Sequence, residues 1–155
     1  MSVQDLGSIG ELIAALATIA TLAYLAMQIR QNTISVRATT FRSYVESAIN
    51  WMASIYKDPE LSDLWNRGRH DLESLDEAEQ ARFSLATLAF FRVFENAHYQ
   101  VQQGLVQEVE WEGIRESFLL LIDCPGVRAW WGENQTRYNS PFRAFVDAEL
   151  RARAA

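Results

Sequence analysis

Leu12 to Ile29 reads LIAALATIATLAYLAMQI, eighteen residues without one charged side chain. At about 1.5 Å per helical residue the run covers about 27 Å, close to the roughly 30 Å hydrocarbon core of a bilayer. Extending it back to Ile9 makes up the remaining length and leaves Glu11 at headgroup level. The composition suits a helix in lipid: Leu, Ile and Ala, threonines that bond back to the preceding turn, and no proline. A secretory signal would carry a basic segment before the run, yet Met1 to Gly10 contain Asp5 and neither lysine nor arginine. The competing reading is a fully buried helix inside a soluble oligomer, because the run sits at the lower length limit of a span.

The flanks orient the helix. Asp5 and Glu11 precede the run, whereas Arg30, Arg37 and Arg42 follow it before the first acid, Glu46. Basic flanks stay on the cytoplasmic side, so the expectation is N-terminus out and the bulk of the chain in the cytoplasm. Residues 1–30 are thus expected to form a single transmembrane helix and 31–155 a cytoplasmic helical domain. Arg30, Arg37 and Arg42 are expected to meet anionic lipid headgroups.

The rest of the composition agrees. About 120 residues beyond the anchor suffice for one domain with a core, and five Trp, eight Phe and five Tyr supply its material. Cys124 is the only cysteine, so no intrachain disulfide can form, which fits a reducing compartment. The net charge is −6, with Lys57 the single lysine beside thirteen arginines. A nucleic-acid binder shows a basic stripe; the acid-free arginines here sit next to the apolar run, so no nucleic-acid partner is expected.

Past Ile29 the helical pattern continues. Ile34, Ala38, Phe41, Val45, Ala48, Met52 and Ile55 recur at steps of four and three, and no glycine or proline interrupts Gln31 to Lys57. Trp51, about 33 Å beyond Ile29, lies too far out for an interfacial belt and is assigned to the domain core or a partner surface. Pro59, Pro125 and Pro141 read as first helical positions, with Asp58, Cys124 and Ser140 before them as caps. That predicts helices over Pro59–Arg69, loosened or ended by Gly68, Pro125–Asn134 and Pro141–Arg151. Asp76 with Glu79 forms a capping-box variant opening a rod of about 27 residues, with Phe83, Thr87, Phe90, Phe94, Ala97 and Val101 on one face and Gly104 ending it. Glu108–Ile122 is a further helix carrying Trp111, Ile114, Phe118, Leu121 and Ile122. No strand alternation appears, so the class is all-α, six or seven helices in a bundle behind the long N-terminal one.

Sites are sparse. Glu95-Asn96-Ala97-His98 matches Glu-x-x-His, the half-motif of di-metal carboxylate bundles. Such centres need two copies and two more glutamates, and His70 has no Glu three residues before it. A symmetric dimer would supply the second copy; the alternative is a buried polar pair tied to Arg92, Tyr99 or a tryptophan. Cys124 before Pro125 sits where a helix dipole would lower a thiol pKa, but a packed cap residue is the better reading. Trp130 and Trp131 point about 100° apart, so one is expected inward and the other against the membrane-proximal helix or a partner surface. Gly7, Gly10, Ala14, Ala17 and Thr21 line one face of the apolar helix, where small residues let helices approach. Phosphate-loop, dinucleotide, nucleophile-elbow and zinc-protease signatures are absent from the sequence. No catalytic residue and no cofactor are expected.

The run GELIAALATIATLAYLAMQIRQNT (10–33), the block FRVFENAHYQVQQGLV (91–106), WEGIR (111–115), PGVRAWW (125–131) and SPFRAFV (140–146) together resemble a widespread family of uncharacterised bacterial proteins. Its members share an N-terminal apolar helix ending Arg-Gln-Asn-Thr, here Arg30 to Thr33, with a helical domain behind it. The resemblance implies a bacterial inner-membrane protein and brings no activity with it. The first expectation for function is a non-enzymatic membrane-anchored module, a homo-oligomeric scaffold or accessory subunit of a larger membrane assembly. The second is a bundle that binds a metal or small ligand near Glu95 and His98.

Overall fold

Six α-helices make up the computed structural model, which describes residues 3–154, with side-chain surroundings given for residues 7, 10–153. The sequence readings that rest on Asp5 and Ile9 lie outside the described side chains. The order is α1 (Val3–Tyr56), α2 (Pro59–His70), a 3₁₀ turn at Leu72–Ser74, α3 (Glu77–Gln102), α4 (Glu108–Ile122), α5 (Pro125–Asn134), a 3₁₀ turn at Gln135–Arg137, and α6 (Ser140–Ala154). No strand occurs among the described residues, and the all-α class stands.

The chain divides into two compact units, Met1–Thr39 and Thr40–Ala155, so the division falls inside α1. The first is the leading part of α1. From Gly10 to Thr39 every residue is exposed, and nothing in this unit covers the apolar run.

The second unit holds the core. Its centre is α3, whose Phe83, Phe90 and Phe91 are fully buried and whose Phe94 packs at a tilt against Phe90 and Phe118. The helix starts where the Asp76 carboxylate accepts from the Glu79 N–H (2.9 Å) and the Glu79 carboxylate accepts from the Asp76 N–H (3.1 Å). It ends before Gly104, whose φ of 68° is the left-handed conformation that glycine adopts without strain. The end of α1 forms a wall: Tyr44 and Ile55 are buried, and the Trp51 indole donates to the Ala86 carbonyl (2.9 Å) between the rings of Trp65 and Phe90. The buried side is therefore centred on Tyr44, Trp51 and Ile55. Ile34, Ala38 and Met52, expected on it, are exposed. Steps averaging 3.5 drift around a 3.6-residue helix, and the large rings at 44 and 51 reach the core from its flank.

Three more expectations change. Gly68 neither loosens nor ends α2, which runs on to His70; it is buried, and a methyl there would lie 2.6 Å from Phe83. A methyl on Gly126 would lie 1.8 Å from the Gly68 carbonyl oxygen, so two glycines let α2 and α5 touch backbone to backbone. Trp130 and Trp131 are both 2% exposed, so neither forms a partner surface. The divergence is real, but α5 packs against α2, α3 and α4 together, and Phe91 stacks on both indoles. Finally, α6 is capped by Asn139, whose side-chain oxygen accepts from the Phe142 N–H (2.9 Å); Ser140 is already helical.

Candidate functional site

The largest unexplained surface is the apolar run itself. Leu12, Ile13, Leu16, Ile19 and Leu22 are each about 60% exposed, near the limit for a helix with no neighbour. The eighteen-residue window of highest hydropathy averages 2.0, making α1 long and apolar enough to cross a membrane. Thr18 and Thr21 donate to the carbonyls of Ala14 (2.9 Å) and Ala17 (2.8 Å), which removes two hydroxyls from the need for water. Tyr24 accepts from the Gln28 amide (2.7 Å), pairing the polar groups near the run's end. On the small-residue face, methyls built at Gly7 and Gly10 meet nothing within 4 Å, and Ala14, Ala17 and Thr21 are exposed. The face is open to another molecule.

The three arginines separate. Arg30 and Arg37 are exposed, with no acid within four residues of either. Arg42 forms an i,i+4 pair with Glu46 (2.8 Å).

Glu95 and His98 lie three residues apart on α3 and are drawn to different neighbours. Glu95 is largely buried; its Oε1 accepts from the backbone N–H (2.8 Å) and side-chain amide (2.9 Å) of Asn139. Its other oxygen accepts from Arg92, which lies over the Tyr138 ring and donates to the Arg137 carbonyl (2.9 Å). These contacts fasten the corner between α5 and α6. His98 stacks on Phe145 (5.0 Å between centroids) beside Trp111 and Phe142, and burial pushes its pKa below the usual imidazole value. Among the described residues no group of three or more His, Cys, Asp or Glu comes together in a metal-ligating arrangement. Cys124 precedes α5, yet its thiol lies 3.9 Å from the Leu120 carbonyl and makes no cap bond.

One groove in the second unit was not anticipated. Val45, Ala48, Ile49 and Met52 of α1, Val93 and Phe94 of α3, and Ser117 and Leu121 of α4 line about 290 Å³ of mostly apolar space. Tyr44 closes it, its phenol pushed up to about 12 by burial. The Ser117 hydroxyl is spent on the Gly113 carbonyl (2.9 Å). The groove offers apolar contact and no activated nucleophile. Its one advance signal was Ile49, an apolar residue on α1 outside the expected core row, next to Met52, which that row assigned to the core.

No known family, characterised protein or solved structure matches this chain.

Proposed function

We propose that this chain is a non-enzymatic membrane-anchored helical module, a scaffold or accessory subunit of a larger membrane assembly. In this reading the leading half of α1 crosses a bacterial inner membrane with its N-terminus outside, and the domain from residue 40 onward works in the cytoplasm. One observation carries it: the uncharged surface of Leu12–Ile29 is exposed along its whole length. Burying apolar area is worth about 25 cal/mol per Å², and a run this long left in water implies an apolar environment outside the chain. Lipid provides one over the full circumference. The open face of Gly7, Gly10, Ala14, Ala17 and Thr21 supports association with a second helix inside it.

The alternative of a metal or small-ligand site near Glu95 and His98 has less support, because Asn139 and Arg92 already engage the carboxylate and aromatic rings surround the imidazole. The test is extraction and topology together. The protein should stay in the membrane pellet through alkaline carbonate. A reporter active only in the periplasm should work fused before Met1 and be silent after Ala155. Release by carbonate would favour the soluble-oligomer reading; the reversed reporter pattern would overturn the orientation.

A further inference from the structure

We propose that Arg30 and Arg37 form a binding face for anionic phospholipid headgroups; the proposal rests on the anchor reading and adds the class of lipid. Seven residues apart, the two arginines lie within about 20° of the same helix face and about 10.5 Å apart along it. In a helix the Cα–Cβ bonds tilt toward the N-terminus, so both side chains lean back toward the apolar run. Arg37 thereby reaches toward the headgroup layer from beyond its edge. Both are exposed, and the nearest acids in sequence are Glu11 and Glu46, the latter held by Arg42.

The charge of the remaining chain sharpens the case. Two acids precede the run and three arginines follow it to Arg42, so the net −6 leaves −7 on the residues from Ser43 onward. That portion is repelled by an anionic leaflet. Attraction to such a leaflet therefore comes from Arg30 and Arg37, and removing them should reverse the preference instead of only weakening it.

The experiment reconstitutes the full chain in phosphatidylcholine bilayers and compares spin-labelled phosphatidylglycerol with spin-labelled phosphatidylcholine at the protein perimeter. The unmodified protein should favour the anionic label about fivefold, the factor for one basic side chain at a membrane surface. The preference should shrink in 1 M salt, where the Debye length is about 3 Å. The double variant R30Q/R37Q should fall to unity or below, whereas R42Q, already paired, should keep the preference. Equal association of both labels with the unmodified protein, or a preference that survives in the double variant, would overturn the proposal. Failure of the protein to float with the vesicles, with neither label restricted, would instead sink the anchor reading and this inference with it.

Discussion

Replacing Gly126 by alanine places a methyl carbon 1.8 Å from the Gly68 carbonyl oxygen, where ordinary contact begins at 3.4 Å. The obstacle is backbone, and two further backbone atoms stand at 3.0 and 3.1 Å, so no side-chain rotation clears it. The α5 helix must back away from α2 by about 1.5 Å, loosening Val127, Trp130 and Trp131, each at most 2% exposed. Overpacking costs about 1–3 kcal/mol when neighbours can shift and more when they cannot, so about 3 kcal/mol is expected. For a domain this size that lowers Tm by about 12 °C. Gly132→Ala on the same helix is the control: a methyl there meets nothing within 4 Å, and helix propensity should make the change stabilising by up to about 1 kcal/mol. All five tryptophans lie between Trp51 and Trp131, so their fluorescence during heating in mild detergent reports the second unit without the apolar helix. If Gly126→Ala melts at or above the unmodified temperature, the backbone contact between α2 and α5 is not what the structure says.

Glu95→Leu leaves two Asn139 donors and Arg92 without their acceptor and should cost about 2 kcal/mol, whereas Glu95→Gln, which keeps an acceptor, should cost about 1 kcal/mol or less; urea titration measures both. Elemental analysis of the same samples adds a second readout, since stoichiometric metal lost in Glu95→Gln would revive the ligand reading. His98 supplies a pH dependence: with its folded pKa depressed by burial, the unfolded chain takes up a proton that the folded chain resists. Stability should therefore fall as pH drops below about 6.5, and the slope between pH 7.5 and 5.5 should lessen in His98→Phe. On the apolar helix, Ala14→Leu or Ala17→Leu should weaken cross-linking in native membranes more than a Leu16→Ala control; equal yields would mean the small-residue face is not an interface.

The element boundaries were largely legible because the residues that set them act locally. Prolines 59 and 125 open α2 and α5, the Asp76–Glu79 box opens α3, and Gly104 takes the conformation its position requires. What the sequence withheld were contacts between distant segments. Gly68 looks like a helix breaker until Gly126, fifty-eight residues later, is brought against it. Glu95 shows its place in a helical row but not that Asn139, forty-four residues on, will claim it. Angular reasoning about Trp130 and Trp131 was correct for a helix with one buried side and failed because α5 has several. The apolar run needed no such help: the length and lack of charge that make α1 apolar enough to cross a membrane are displayed by composition alone.

The passage of α1 from one unit to the other without a break bears on how the protein can be cut. No loop separates the apolar run from the residues that wall the core, so neither end of the helix is a usable point of division. A fragment beginning after Tyr56 would discard Tyr44, Trp51 and Ile55 and uncover Phe90 and Trp65. One beginning near Thr39 keeps them and sheds the whole of the exposed run. The place to trim a version without the exposed run thus lies in mid-helix, and a protease or expression boundary chosen by secondary structure would miss it by about 17 residues, some 25 Å of helix.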